Sequence, residues 1–264
     1  MRTETFATRG TVRLKLNIPS GEIEIETHDE PETRVELDAR DEEALAAATI
    51  EERQRADGHE IVVEAPKKFR LLGSGNGEYR LRVRAPHGAD VECSTSSADV
   101  EGRGRFGHLE VNSASGDARF DDVGGDARVN VASGDLRVER VGGDATMNSA
   151  SGDVELGSLE GRGKIRSASG DVSVRVANSS LSVQTASGDQ EVGSIVEGQV
   201  TLQSASGDIQ VGVANGVSLW IDAKSMSGET TSELELQGQP SDDEGASVEL
   251  RATSMSGDIY VRHA

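Results

Sequence analysis

The tripeptide Ser-Gly-Asp returns at a nearly fixed interval through this chain, and this repeat limits the possible folds more than any other feature. Its glycines are spaced 18, 18, 18, 18 and 19 residues apart, with looser copies at Gly228 and Gly257. The regular copies contain Gly116, Gly134, Gly152, Gly170, Gly188 and Gly207. Self-similarity at a period of this size is typical of solenoids, in which successive coils stack on one another.

Residues between the glycines alternate polar and apolar, which is typical of strands that bury one face. The period aligns one apolar column of Phe120, Val138, Leu156, Val174, Val192 and Val211. It aligns a second column of Val111, Val129, Met147, Ile165, Val183 and Leu202. Two columns nine residues apart predict an all-β fold, a flattened parallel β-solenoid with two strands in each coil of 18 residues.

The glycine of each motif is expected at the bend between strands, because glycine takes a positive φ without penalty. Stacked coils then place the aspartates in a ladder at ~4.8 Å, comprising Asp99, Asp117, Asp135, Asp153, Asp171, Asp189 and Asp208. Each neighbouring pair would repel by roughly 0.9 kcal/mol in water. We expect hydrogen bonds from turn amides to offset this repulsion, with a neighbouring arginine or a weakly bound cation as alternatives. This ladder is the candidate binding surface.

Motifs for metal binding or catalysis are not convincing in this sequence. Calcium-binding β-rolls have a second glycine and a residue between the last glycine and the aspartate, whereas here Asp follows Gly directly. The Gly-x-Gly-x-x-Gly of Gly102, Gly104 and Gly107 precedes a strand pattern rather than the helix of a dinucleotide site. The histidines lack metal-ligand spacing, and no serine lies in a nucleophile elbow. We predict no catalytic residue, metal or cofactor, and no enzyme activity.

The domain organisation follows the regularity of the repeat. Residues 1–88 are expected to form a divergent β region with a helix at about 41–56, continuous with the solenoid. Residues 89–222 are the regular solenoid, and residues 223–264 are irregular C-terminal coils. Asp41 is a residue typical of a helix N-cap, and Gly58 is typical of the position where a helix ends. The helix is expected to cover one open end, and residues 259–261 are the expected exposed edge strand.

Charge is unevenly distributed along the chain. Residues 1–85 carry 14 basic and 18 acidic groups, and residues 86–264 carry 13 and 29, which leaves net charges of −4 and −16. The acidic repeats should therefore repel nucleic acid and anionic membranes. Basic residues concentrate at Lys67, Lys68, Arg70, Arg80, Arg82 and Arg84. This patch could receive an anionic partner, but we favour pairing of its last three arginines with Glu22, Glu24 and Glu26 across adjacent strands.

Cysteine usage and hydropathy bear on localisation. Cys93 is the only cysteine, so no internal disulfide can form. The first residues lack the apolar core of a signal peptide, and no run approaches the roughly 18 apolar residues that a membrane helix needs. These features predict a cytoplasmic protein without a membrane segment.

The Ser-Gly-Asp array resembles the DUF4097 β-strand repeat family, whose members carry the name "putative adhesin". The resemblance extends over nearly the whole chain. It includes Ser20-Gly21-Glu22, the turn Arg-Val-Arg-Ala-Pro-His-Gly at residues 82–88 and the terminal Ser256-Gly257-Asp258. The layout is similar to actinobacterial members without a signal peptide. The resemblance implies a parallel β-solenoid with no known catalysis.

These patterns together predict a non-catalytic, cytoplasmic β-solenoid that serves as an acidic scaffold for an unidentified protein partner. One alternative is a structural protein that self-associates into filaments through the solenoid ends. Another is a carbohydrate-active β-helix enzyme or an adhesin, because parallel β-helices also host enzymes whose carboxyl groups act on sugars.

Overall fold

The computed structural model describes residues 1–66, 78–234 and 247–264. Nearly all of its regular structure is β-strand. The packing divides the chain into two compact units, Met1–Asp135 and Leu136–Ala264. Most strands in each unit pair in parallel with strands one coil away. This confirms the predicted parallel β-solenoid, while the domain boundaries predicted near residues 88 and 222 stay predictions.

The described residues of the N-terminal unit form nine strands and one helix. They are β1 (Arg2–Ala7), β2 (Thr11–His28), β3 (Glu32–Ala39), α1 (Glu42–Ala46), β4 (Thr49–Arg55), β5 (Gly58–Glu64), β6 (Tyr79–Pro86), β7 (Ala89–Ser115), β8 (Ala118–Val123) and β9 (Ala127–Ser133). The long strand β2 pairs in parallel with β7 along one side and with β5 and β6 along the other. The other end of β7 pairs in parallel with β8 and β9.

Three of these described strands run antiparallel to their neighbours. Strand β4 pairs with β5, β3 pairs with β6, and β1 pairs with β3. Every residue of β4 after Ile50 is exposed, and four of these five residues are charged. A charged edge of this kind discourages further strand pairing. The parallel pairing of the unit therefore ends here in antiparallel, charged strands.

The helix predicted at about residues 41–56 was wrong in extent. Asp41 is the N-cap as predicted, and its side chain accepts a hydrogen bond from the Glu43 amide, but α1 ends at Ala46. The following residues form β4, which buries Ile50 and pairs with β5. Helix propensity is a weak preference, and here the hydrogen bonds offered by the outer side of β5 outweigh it. Gly58 begins β5 rather than stopping a helix.

In the C-terminal unit, the part of the chain that the structure describes forms thirteen strands. They are β10 (Leu136–Val141), β11 (Ala145–Ser151), β12 (Val154–Leu159), β13 (Gly163–Ser169), β14 (Val172–Ala177), β15 (Leu181–Ser187), β16 (Gln190–Ile195), β17 (Gly198–Ser206), β18 (Ile209–Val213), β19 (Ser218–Ser225), β20 (Thr230–Ser232), β21 (Ser247–Ser256) and β22 (Ile259–His263). Alternate strands pair in parallel, so that β10 lies beside β12 and β11 beside β13. Each coil thus contributes one strand to each of two sheets, as predicted.

The last coil along the chain is not the last coil of this stack. Strand β21 pairs with β17 on one side and β19 on the other, and β22 lies between β18 and β20. The prediction that residues 259–261 form an exposed edge was therefore wrong. The coil of β21 and β22 is inserted, and β19 and β20 are the outermost strands of the described part of this unit.

The predicted apolar columns form the core. All twelve residues assigned to these columns are buried, and none has more than 2% of its surface exposed. In the C-terminal unit, Leu156 lies in register with Val138 and Val174. In the opposite sheet, Ile165 lies in register with Met147 and Val183. Two facing columns of aliphatic side chains fill a thin core, which explains why aromatic residues make up only 3% of the chain.

Glycine is required at the bends for two separate reasons, as Gly188 illustrates. Its φ is +127°, a conformation that costs other residues energy. A Cβ at this position would also collide with the carbonyl oxygen of Gly170 in the adjacent coil. The backbone conformation and the close stacking of coils therefore both favour glycine.

We expect Leu156→Ala to lower the free energy of unfolding by about 2–5 kcal/mol, because it leaves a cavity between two tightly stacked neighbours. Urea denaturation followed by circular dichroism measures this change. Glu155→Ala on the same strand is the control, and the loss of its exposed ion pair with Arg137 should cost about 1 kcal/mol or less. Equal losses in the two variants would contradict the assigned core.

Burial raises the pKa of the Cys93 thiol to about 12. Only the thiolate reacts readily with disulfide reagents, so at pH 8 the native protein should hold roughly a thousandfold less thiolate than an unfolded chain. We expect Ellman's reagent to label Cys93 very slowly in the native protein and rapidly in guanidinium. Fast, complete labelling under native conditions would show that β7 does not bury this side chain.

Candidate functional site

The aspartates of the repeat form a hydrogen-bonded ladder within each unit. In these ladders the Oδ1 atom of one aspartate accepts a hydrogen bond from the main-chain N–H of the aspartate in the adjacent coil, at N···O distances of 2.8–3.0 Å. The ladder comprises Asp99, Asp117 and Asp135 in the N-terminal unit, and Asp153, Asp171, Asp189, Asp208 and Asp258 in the C-terminal unit. Glu229 provides the outermost amide, which donates to Asp258.

These hydrogen bonds explain why a column of like charges is stable. A hydrogen bond to a charged group contributes about 1.5–3 kcal/mol, whereas neighbouring carboxylates at this spacing repel by roughly 0.9 kcal/mol in water. The attraction therefore exceeds the repulsion. The predicted offset by turn amides is confirmed, and each carboxylate is held in a fixed position at the turn.

A second, less regular ladder runs along the half-step turns, and the sequence analysis missed it. Asp90 accepts a hydrogen bond from the His108 amide, and His108 Nδ1 accepts one from the Asp126 amide. In the C-terminal unit, Asp144 accepts a hydrogen bond from the Arg162 amide in the same way. The Gly-Gly-Asp copies that begin at residues 124 and 142 were the available signal, because they repeat the main motif nine residues out of phase.

The arginines of the predicted basic patch are paired with glutamates. Strands β2 and β6 place Glu22, Glu24 and Glu26 opposite Arg80, Arg82 and Arg84, with N···O distances of 3.3, 2.6 and 3.0 Å. The hydrogen bond that Arg82 donates to Glu24, together with the negative charge of Glu24, raises the pKa of Arg82. This confirms the favoured internal pairing. Lys67, Lys68 and Arg70 lie outside the described residues.

The same face carries a cavity of about 330 Å³ lined by alternating charges. Beyond the Arg82 and Arg84 pairs, Arg34 lies 2.7 Å from Glu36 and Arg103 lies 2.7 Å from Glu101. Each of the four arginines that line it has a carboxylate partner. An anion entering this cavity would have to displace one of those carboxylates, which makes it a weak candidate site.

The structure brings Thr27, His87 and Asp29 together in an arrangement that superficially resembles a catalytic triad. Thr27 Oγ1 lies 2.8 Å from His87 Nδ1, and His87 Nε2 lies 3.5 Å from Asp29. The Thr27 hydroxyl is buried, however, and it accepts a hydrogen bond from the Arg105 amide. Gly104 passes directly over it. The trio holds this turn together and does not present a nucleophile to solvent.

In residues 1–66, 78–234 and 247–264, no three His, Cys, Asp or Glu side chains are grouped closely enough to hold a metal ion. The only helix described, α1, has five residues, and no described helix has the length and apolar character needed to cross a bilayer. The ladder is therefore the main candidate surface, and the absence of enzyme activity stays a prediction.

Comparison with solved structures gives several matches over the full length of the chain. A "putative adhesin" from Bacteroides fragilis is 12% identical with a TM-score of 0.46, and a "putative lipid binding protein" from Parabacteroides distasonis is 13% identical with a TM-score of 0.45. Each alignment covers 100% of this chain and 96% of the other. A "putative cell adhesion protein" from Clostridium sporogenes is 12% identical, with coverage of 100% and 99% and a TM-score of 0.31.

None of the curated proteins matches the chain. The model of one protein family does match, and it covers residues 12–262. The matched range begins within the first long strand β2 and ends within the last strand β22. The chain therefore belongs to the family described as Toastrack DUF4097.

Proposed function

We propose that this protein is a non-catalytic, cytoplasmic scaffold that binds a basic protein segment along its aspartate ladder. The proposal rests on the position of the ladder carboxylates. Their Oδ1 atoms are held by hydrogen bonds from main-chain amides of the adjacent coil. Fixed groups lose little conformational freedom when a partner binds, so preorganised charges favour association. A row of carboxylates at strand spacing suits a partner with several lysines or arginines.

The charge distribution supports a basic partner over other classes. Residues 86–264 carry a net charge of −16, which would speed the approach of a positively charged protein and oppose that of nucleic acid. On the face that carries the cavity, arginines and glutamates neutralise one another. Eight of the 29 acidic groups in residues 86–264 are ladder aspartates, so the ladder contributes a substantial part of this negative charge.

An oligo-arginine peptide with a fluorescent label is a suitable probe, because its anisotropy reports binding directly. We expect binding at low salt, and we expect Asp171→Asn, Asp189→Asn and Asp208→Asn in one chain to weaken it about tenfold, as the loss of three exposed charge contacts would. Asparagine keeps an oxygen that can accept the amide hydrogen bond, so the fold should be retained. Circular dichroism checks this.

The matched control removes three carboxylates of the same unit that lie off the ladder. Glu155→Gln, Glu160→Gln and Glu191→Gln in one chain produce the same change in net charge. We expect this control to weaken peptide binding far less than the ladder variant does. Equal weakening would mean that the peptide senses only the total charge, and the ladder proposal would then fail.

A calcium titration tests whether the ladder is instead a cation site. Calcium needs several oxygen ligands, and the Oδ1 atoms of Asp153 and Asp171 already accept amide hydrogen bonds. We therefore expect no heat of binding at millimolar calcium and an unchanged melting temperature. A ligand of the folded state stabilises it by mass action. A melting temperature that rises with calcium but not with magnesium, and that no longer rises in Asp171→Asn, would contradict this expectation.

A further inference from the structure

We propose that two copies of this chain associate through β19, the outermost strand of the described part of the C-terminal unit, which pairs antiparallel with β19 of a second copy about a two-fold axis. This interface is separate from the aspartate ladder and does not depend on the proposed scaffold function. Strand β19 has a free side, exposed apolar side chains, and charges that are complementary to those of a second copy.

Strand β19 has a strand partner on one side within the described residues. It pairs in parallel with β21, and none of the described strands lies along its other side. The inward-facing Leu219 and Ile221 are only half-buried, although their register partners Val248 and Leu250 on β21 are fully buried. Among the described residues the core is therefore open at this coil, and the main-chain groups on the free side of β19 are available to a further strand.

Exposed apolar side chains gather in the two outermost coils of this unit. Trp220 is 51% exposed and Met226 is 81% exposed. The only other exposed large apolar residues among those described are Met255 and Tyr260, in the adjacent coil, and Met1. Aromatic and methionine side chains are enriched at protein interfaces. A strand that pairs with the free side of β19 would cover part of Trp220.

The side chains of β19 are complementary to those of a second, antiparallel β19. If Ala223 of one copy lies opposite Ala223 of the other, Asp222 faces the partner's Lys224 and Lys224 faces the partner's Asp222. The same register places Trp220 opposite the partner's Met226, a favourable sulfur–aromatic contact. Directly opposed side chains in antiparallel strands are close enough to interact. In the single chain, Lys224 Nζ lies 2.7 Å from Asp222 Oδ1, so both charges stay paired on association.

The contrast with β4 favours a closed pair over a filament. A filament needs two different surfaces that fit each other, whereas a two-fold pair uses one surface twice. The edge strand β4 exposes Glu51, Glu52, Arg53 and Arg55, and it offers no apolar surface that matches Trp220. A self-complementary β19 therefore predicts a dimer that does not grow further.

Charge-swap variants test this register directly. In this register, position 222 of each copy faces position 224 of the other. In a dimer of Asp222→Lys, both of these contacts are therefore between two lysines. In a dimer of Lys224→Asp, both are between two aspartates. We expect each variant alone to weaken dimerisation about tenfold or more, since like charges replace two opposite-charge contacts. An equal mixture of the two variants restores both contacts, and so does a chain that carries both substitutions. Both should dimerise like the native chain.

Analytical ultracentrifugation over a range of concentrations gives the dimerisation constant. The single tryptophan is a second readout, because its emission should shift to shorter wavelengths as Trp220 becomes buried. Arg53→Glu on β4 is the control edge variant and should leave the dimer unchanged. Circular dichroism should show the same fold in every variant.

Several results would overturn the proposal. They are a native chain that remains monomeric up to its solubility limit, single variants that dimerise as well as the native chain, or a mixture that stays monomeric. Larger assemblies that grow with concentration would favour a filament instead. A native monomer that binds a strand of another protein through β19 would also overturn the proposal of a homodimer.

Discussion

The hydrogen bond from a main-chain amide to the aspartate of the adjacent coil is the interaction on which the regular part of this structure depends. Parallel stacking of near-identical coils places like residues above one another, and a column of carboxylates would by itself oppose the stack. Because Asp189 accepts from the Asp208 amide, and Asp171 from the Asp189 amide, the same column instead ties each coil to the next. The recurrence of aspartate is therefore a consequence of the turn, before any question of binding.

Charges on the strand faces follow a different rule from charges at the turns. Across β2 and β6, opposite charges face each other in register, and Arg137 similarly contacts Glu139 and Glu155 in the C-terminal unit. At the turns, Asp171 and Asp189 accept hydrogen bonds from neutral amides, which leaves their negative charges in place, whereas Asp117 also contacts Arg119 at 2.7 Å. A field strong enough to select a partner can therefore arise at the turns without weakening the stack.

The sequence predicted the regular coils well because their information is local and repeated. Both apolar columns, the bend glycines and the amide-bonded aspartates could be assigned from an 18-residue period. The helix was overextended because residues 49–55 also suit a helix, and only the presence of β5 makes Ile50 part of a strand. The half-step ladder was missed because His108 replaces an aspartate in it, and an imidazole nitrogen can accept the same amide hydrogen bond.

The order of the last coils could not be predicted from the repeat, since a period assumes that neighbours in sequence are neighbours in space. Side-chain polarity explains the observed order. Strand β22 faces the core with Ile259 and Val261, whereas the residues that pair with these on β20 are Thr230 and Ser232. A coil between two others needs apolar core-facing residues, whereas an outer coil can have more polar ones. The coil of β21 and β22 therefore occupies the inner position. Trp220 lies on the outward face of the outermost strand, opposite Glu249 of β21, and it is 51% exposed there. The end of a repeat is thus where its residues are free to differ, and specific association can be encoded there without disturbing the coils beneath.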